Sequence, residues 1–243
     1  MKKIAFYVEG KTEQFFVNKL LIEIAGRKNI QIELQQFQGV GRPKRAIHPR
    51  STSQPSEHNH FALILDCVGD GGVKPRILED APNLFSQGYS EVVGLLDLYP
   101  LTNLARLENN LKNGIQRNGR VLAPPLPNDT DIIIAVNEIE SWFLEECTHF
   151  ECIDESLTNE TIVREMGFDP CTDDMTQRPH PAQDLHDIYK IANKAYMNSQ
   201  GKKRKNRIER TVECLDYTNI YMNLRNSVTK LGDLINKIDN FLT

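Results

Sequence analysis

Two carboxylates lie four residues apart near the start of the chain, directly after an apolar run. The string EGKTE, residues 9–13, follows the string IAFYV without a spacer. Gly10 permits a sharp reversal of the backbone, and a helix that begins there would turn Glu13 back toward Glu9. Carboxylate oxygens are preferred ligands of Mg²⁺ and Mn²⁺. The spacing therefore predicts a divalent-cation site at this turn.

Further acids follow other apolar runs of the chain, at Asp66, Asp97, Glu138 and Glu140. Ligands of open parallel sheets bind at the carboxyl ends of the strands, so we expect these acids to meet at one edge. A hard divalent cation would relieve their mutual repulsion. The alternative is that acids end strands and open helices because they favour solvent and the helix dipole. The expected metal ligands are Glu9, Glu13, Asp97, Glu138 and Glu140.

The acids are positioned by apolar strands that alternate with helical patterns. Continuous or alternating apolar residues predict strands over residues 3–8, 30–37, 61–66, 91–96 and 131–136. Thr12 is the expected cap of the first helix, and Pro75 is expected to begin the second. This alternation predicts an α/β fold, with a mostly parallel sheet covered by helices on both faces. Residues 1–150 are expected to form this domain.

The rest of the chain has a different character. Residues 38–60 are rich in Gly, Pro, Ser and basic residues and predict a long loop. Residues 151–243 are expected to form a helical C-terminal region. Apolar residues recur there at helical spacing, most clearly over residues 220–242.

Composition excludes some classes of protein. The formal net charge of -4 argues against a protein that binds polyanions over its whole surface. No apolar run is long enough to span a membrane or to act as a signal peptide, so we expect a cytoplasmic protein that does not bind membranes. The five cysteines are expected to be reduced and to behave as small apolar residues. Zinc binding by Cys147, His149 and Cys152 is the less favoured alternative.

Two basic stretches are candidates for binding nucleic acid. One is residues 201–210, and the other lies in the predicted loop. Both are equally well interpreted as solvated surface. Lys74, beside the glycine-rich turn at residues 69–72, is expected to hold a phosphate or to be an ordinary exposed lysine. The candidate nucleic-acid-binding residues are Lys202, Lys203, Arg204, Lys205, Arg207, Arg42, Lys44 and Arg45.

The motifs resemble a known superfamily. The strand ending in VEGKTE and the later strand ending in GLLDLYP resemble the Toprim domain of topoisomerases, primases and OLD-family nucleases. The string GDGGVKPRIL, the acid Asp97 and the string NEIESWFLEE make residues 1–150 similar to bacterial DUF4276 and RloB-like proteins. In the superfamily, the counterpart of Glu9 and an Asp-x-Asp motif organise magnesium for phosphoryl transfer, and the OLD-like branch also uses the counterpart of Glu13. This chain departs from the motif because Tyr99 replaces its second acid.

The resemblance implies two hypotheses of function. The first is a Mg²⁺- or Mn²⁺-dependent nuclease that cleaves DNA or RNA, an effector of bacterial anti-phage defence, with Glu9, Glu13, Asp97 and Lys74 as its catalytic residues. The second is a non-catalytic binding or regulatory subunit. The chain has no Gly-x-x-x-x-Gly-Lys-Ser/Thr string, so any ATPase activity would come from a separate partner subunit.

Overall fold

The computed structural model of the chain describes residues 1–38, 44–51, 59–69 and 71–243. The chain divides into two compact units. The first unit comprises residues 1–97, 101–134 and 236–243, and the second comprises residues 98–100 and 135–235. The chain therefore passes from the first unit into the second mainly at residue 135. The sequence suggested a boundary at residue 150.

A six-stranded sheet forms the centre of the fold, with strand order β3-β2-β4-β1-β5-β8. In this sheet the pairs β1–β4, β1–β5 and β2–β4 are parallel, and the pair β2–β3 is antiparallel. The predicted α/β fold with a mostly parallel sheet is confirmed. The strands of the described residues are β1 Lys2–Val8, β2 Ile30–Gln38, β3 Lys44–Ser51, β4 His60–Asp66, β5 Glu91–Asp97, β6 Ile115–Arg117, β7 Arg120–Ala123 and β8 Thr130–Ala135.

Helices follow most of the strands and then dominate the second unit, which confirms the expected helical C-terminal region. No helix among the described residues is both long and apolar enough to cross a membrane. Two short 3₁₀ helices, Cys147–His149 and Met175–Gln177, and a π-helix, Ile220–Leu224, accompany the α-helices. The α-helices are α1 Lys11–Ala25, α2 Val73–Ser86, α3 Leu104–Asn113, α4 Glu140–Glu145, α5 Phe150–Ile153, α6 Asn159–Met166, α7 Pro181–Ile191, α8 Lys205–Cys214, α9 Tyr217–Asn219, α10 Arg225–Ser227 and α11 Thr229–Leu242.

The core of the first unit surrounds the central strand β1. Every side chain from Ile4 to Val8 is at most 1% exposed, so both faces of β1 are covered. Helix α1 connects β1 to β2, toward one edge of the sheet. Helix α2 connects β4 to β5, toward the opposite edge. Because such crossovers are right-handed, α1 and α2 lie on opposite faces. Gly94 of β5 allows the close approach of α2, since an added Cβ would lie 3.0 Å from Val73.

One prediction about a loop was wrong, and one hairpin was not predicted. Residues 44–51 of the expected loop form β3, which pairs with β2 in antiparallel fashion. This segment has no apolar alternation, and its pairing instead satisfies the backbone groups along β2. The hairpin of β6 and β7 was also missed. Most of its side chains are exposed, so it has no buried face to give an apolar signal.

Two predictions about helix ends were also wrong. Gly10, not Thr12, occupies the N-cap of α1, and Thr12 is buried inside the first turn. The helix expected over residues 220–242 is interrupted at Val228, whose backbone is extended with φ -103° and ψ 90°. Apolar spacing continues across this break because apolar residues on both sides of it, such as Leu224 and Leu231, are buried.

Candidate functional site

The carboxyl ends of three neighbouring strands bring acids to one edge of the first unit. Val8 of β1 pairs with Asp66 of β4 on one side and with Leu95 of β5 on the other. Glu9 therefore leaves β1 between the ends of two strands that each close on an aspartate. We call these strand ends, with Glu9, Asp66 and Asp97, the acidic edge.

A direct hydrogen bond joins Glu9 to the end of β5. The backbone N–H of Asp97 donates to Oε2 of Glu9 at 2.9 Å. Both residues are half-buried, so this contact is partly shielded from solvent. The hydrogen bond fixes the direction of the Glu9 side chain toward Asp97 and places two carboxylate-bearing residues in contact.

Glu13 lies on the first turn of α1 and is only 4% exposed. A Cβ added at Gly10 would lie 3.3 Å from Oε2 of Glu13, so this carboxylate lies against the turn that follows Glu9. The neighbouring Gln14 fixes α1 on the sheet, because its Nε2 donates to the carbonyls of Gln35 and Ile64 at 2.7 and 3.0 Å. The helix therefore holds Glu13 in the backward orientation that the sequence predicted.

A protein cation also lies at the acidic edge. Nζ of Lys11 lies 3.2 Å from Oδ2 of Asp66 and donates to Oε1 of Gln14 at 3.0 Å. Asp66 is 1% exposed, and its Oδ1 accepts the backbone N–H of Val68 at 2.9 Å. The sequence indicated Asp66 as a candidate acid but not its pairing with Lys11. The only available signal was the position of Lys11 between the two glutamates.

The donor set of the acidic edge fits a hard cation with few protein ligands. Among residues 1–38, 59–69 and 71–243, no three or more His, Cys, Asp or Glu side chains are gathered closely enough to hold a metal ion. Mg²⁺ typically binds proteins through one or two carboxylates and keeps several waters. Glu9 and Asp97 would supply a ligand set of that kind, made only of oxygen.

Lys74 contacts a different element of the first unit. Its Nζ donates to the carbonyls of Asn110 and Leu111, at 3.1 and 2.9 Å. These carbonyls belong to the last turn of α3, where a cation favours the negative end of the helix dipole. Partial burial lowers the pKa of Lys74. These contacts give Lys74 a structural role.

Glu138 and Glu140 belong to the second unit and have partners there. Oε2 of Glu138 accepts the backbone N–H of Ala182 at 3.0 Å, at the beginning of α7. Burial, and then the charge of Glu140, raise the pKa of Glu138. Oε1 of the fully buried Glu140 accepts the hydroxyl of Tyr196 and lies 2.6 Å from Nζ of Lys203.

The basic stretch at residues 201–210 divides into exposed and engaged side chains. Lys203 forms the ion pair with Glu140, and Nη1 of Arg207 donates to the carbonyl of Met197. The exposed members are Lys202, Arg204 and Lys205, of which Lys205 pairs with Glu209 at 3.6 Å. Of the candidates in the predicted loop, Arg42 lies outside the described residues. Lys44 and Arg45 lie in β3, and their side chains are outside the description.

Four of the five cysteines form disulfides in the second unit, so the prediction of five reduced cysteines was wrong. Cys147 pairs with Cys171 and Cys152 pairs with Cys214, with Cα–Cα distances of 5.3 and 5.6 Å. These distances are normal for disulfides. The partners are 24 and 62 positions apart. The sequence alone could not show which cysteines pair over such separations. Cys67 is free and buried.

His149 is fully occupied by protein partners, which removes the zinc alternative together with the disulfides. Its Nδ1 contacts the carbonyl of Glu146, and its Nε2 contacts the hydroxyl of Tyr189 at 3.0 Å. Because a carbonyl only accepts, Nδ1 carries the proton and donates it to the carbonyl of Glu146. Burial lowers the pKa of His149 to about 4, so the ring is neutral.

The fold and the acidic edge define an α/β protein whose mostly parallel sheet presents carboxylates at the ends of adjacent strands. Within that class, the family model for the domain of unknown function DUF4276 matches residues 8–212. The chain belongs to the DUF4276 family.

Similarity to a solved structure is weak, and no curated protein is similar. A crystal structure of hypothetical protein PH0156 from Pyrococcus horikoshii OT3 is similar over 100% of both chains, with 14% identity and a TM-score of 0.44. At that level of similarity it carries no argument about this chain. No curated protein matches the chain significantly.

Proposed function

We propose that this chain is a Mg²⁺- or Mn²⁺-dependent phosphodiester hydrolase that cleaves nucleic acid, with a Toprim-like sheet domain. The observation that carries the proposal is the hydrogen bond from the Asp97 N–H to Glu9 at 2.9 Å. It joins two carboxylate-bearing residues at the carboxyl edge of a parallel sheet, where ligands of such sheets bind. A bound divalent ion supplies an activated water and stabilises the leaving oxygen.

The residues near the ends of β1 and β5 have defined parts in this proposal. Glu9 and Asp97 would hold the ion, and Glu13, whose carboxylate lies against Gly10, would add negative charge nearby and not a third ligand. The N–H of Asp97 keeps Glu9 oriented before any ligand binds. Lys11, with its ammonium group at this edge, takes the phosphate-neutralising role that the sequence suggested for Lys74.

The expected substrate is DNA or RNA. The exposed side chains Lys202 and Arg204 would contact backbone phosphates, and Lys205 is omitted because it pairs with Glu209. A role in bacterial anti-phage defence and a location in the cytoplasm remain part of the proposal. Glu138 and Glu140 are omitted from the ligand set because both have partners in the second unit.

A second candidate is a non-catalytic binding or regulatory subunit that works with an ATPase partner. Two observations favour it. Tyr99 stands where the Toprim motif has its second acid, and Lys11 already compensates the charge of Asp66. A protein with a compensated edge would bind Mg²⁺ weakly and cleave nothing.

Metal binding and cleavage distinguish the two candidates. The purified chain is titrated with Mn²⁺ and then incubated with labelled single- and double-stranded DNA and RNA. The hydrolase proposal expects Mn²⁺ binding and a metal-dependent cleavage of at least one substrate. Absence of both supports the regulatory candidate.

A further inference from the structure

The second unit contains a cavity of about 620 Å³ that lies beside α7 and the N-terminal end of α8. Apolar contacts come from Ala195 and Met197, and the remaining lining is mainly polar or basic. The polar and basic residues on which the inference rests are Gln183, His186, Lys190, Asn198, Arg204 and Arg207. Three of these six side chains are permanent cations, so the cavity favours an anion.

Arg204 is the cation best suited to an external ligand. Among the described residues, no hydrogen bond or ion pair involves its guanidinium group. Arg207 is anchored by the carbonyl of Met197, which holds its guanidinium group at the cavity wall. Lys190 is paired with Asp187 at 3.0 Å in an exposed contact, which neutralises it only weakly. The lining therefore keeps a net positive charge.

His186 adds a neutral donor to the lining of the cavity. It is 9% exposed, and its Nδ1 accepts the backbone N–H groups of Tyr196 and Met197, each at 3.2 Å. Two donors at Nδ1 require the proton to be on Nε2. No contact within the described part of the chain uses Nε2–H. Nε2 is not among the buried polar atoms that lack a partner in the described residues, so its N–H is accessible to a ligand at the cavity.

We propose that this cavity binds a nucleoside phosphate, with the phosphate group contacting Arg204, Arg207 and the Nε2–H of His186. A phosphate monoester carries close to two negative charges and three acceptor oxygens, which matches two guanidinium groups and one neutral donor. Ligand cavities of several hundred Å³ exceed the needs of phosphate alone and accommodate a nucleoside as well. The proposal rests on the second unit only, so it is independent of the acidic edge.

The phosphate has two sources, a free nucleotide or the 5′ end of a strand. Calorimetric titrations of the full chain would use adenosine 5′-monophosphate against adenosine, and 5′-phosphorylated hexathymidylate against unphosphorylated hexathymidylate. EDTA in the buffer removes any contribution of divalent ions, which separates this test from the proposed hydrolase. Binding of the monophosphate identifies a free nucleotide, and binding of the phosphorylated strand alone identifies a strand end.

Arg204→Gln should weaken binding of the phosphorylated probe by about tenfold, the loss expected for one hydrogen bond to a charged group. Lys205→Gln is the matched control, because it removes the neighbouring charge from a residue that does not line the cavity. The affinity of Lys205→Gln for the phosphorylated probe should stay within about twofold of the wild-type value. Thermal unfolding of both variants verifies that they are folded.

A second readout comes from the imidazole of His186. Its ¹H–¹⁵N spectrum should show the Nε2-protonated tautomer, and the Nε2 signal should shift when the phosphorylated probe is added. The proposal is overturned if phosphorylated and unphosphorylated probes bind equally or not at all. It is also overturned if Arg204→Gln and Lys205→Gln lose the same affinity.

Discussion

The N–H of Asp97 donates to the carboxylate of Glu9 at 2.9 Å and joins the ends of β1 and β5. The two residues are 88 positions apart in the chain. They meet because β1 and β5 run parallel and in register up to Val8 and Leu95. The sheet thus forms the contact on which the proposed metal site depends.

Lys74→Met should lower the free energy of unfolding by about 1 kcal/mol, because two carbonyls of α3 lose their donor. Urea unfolding measures the change. Lys112→Met is the control, since Lys112 lies in the same last turn of α3 and is exposed. Unchanged stability together with a loss of cleavage would instead indicate that Lys74 acts on the substrate.

Lys203→Met should destabilise the protein by about 3 kcal/mol, because the buried carboxylate of Glu140 loses its cation. Lys202→Met, at the exposed neighbouring position, should change stability by less than about 0.5 kcal/mol. Glu140→Gln added to Lys203→Met should recover part of the loss, since it removes the unpaired charge. Equal effects of the two lysine substitutions would contradict the ion pair.

The pH dependence of stability should carry a contribution from His149. Its pKa is about 4 in the folded protein and 6.5 in the reference state. Between these values the unfolded chain binds a proton that the folded chain does not, so stability falls as the pH falls from 6.5 to 4. The contribution is fully present above pH 6.5 and amounts to about 3 kcal/mol.

His149→Gln removes this titration. Urea unfolding at several pH values should therefore show a shallower loss of stability on acidification for the variant than for the wild type. Identical slopes for the two proteins would show that His149 titrates normally and is not buried as a neutral ring.

Peptide mapping without reductant should recover Cys147 linked to Cys171 and Cys152 linked to Cys214, with Cys67 as a free thiol. Reduction should lower the melting temperature, because each disulfide restricts the unfolded chain. The Cys147–Cys171 disulfide closes the shorter loop and should stabilise the folded chain by about 3 kcal/mol, because it lowers the entropy of the unfolded chain. Alkylation of five thiols in the unreduced, unfolded chain would contradict both pairs.

The parallel strands were predictable from the sequence because they are buried on both faces. Residues 3–8 and 61–66 read as continuous apolar runs, and the structure places β1 and β4 there. The approach of Glu9 and Asp97 followed from the same pattern, since carboxyl ends of parallel strands share an edge. Strand β3 gave no such signal, because its pairing rests on backbone groups.

The partners of charged side chains were not predictable, because the sequence shows residue types and not distances. Lys203 and Lys74 both read as free cations. Lys203 lies beside Glu140, 63 positions earlier in the chain, and Lys74 reaches carbonyls 36 and 37 positions later. The disulfide pairs were not predictable for the same reason, because the sequence gives no distances between cysteines. Each of these contacts joins residues that are distant in the sequence and meet only in the folded chain.

The central claim is that the acidic edge binds a divalent ion for phosphodiester cleavage, and Glu9→Gln tests it most directly. Gln keeps a carbonyl that accepts the Asp97 N–H, so the fold should be retained while the charge that a metal needs is lost. Glu23→Gln, the same change at a more exposed residue of α1, is the control.

Manganese titration and nuclease assays of the wild type and both variants provide the measurement. We predict that Glu9→Gln melts like the wild type, binds Mn²⁺ more weakly and loses cleavage by orders of magnitude, because the metal no longer activates water. Glu23→Gln should behave as the wild type in all three respects. A folded Glu9→Gln protein that binds Mn²⁺ and cleaves nucleic acid at the full rate would contradict the account.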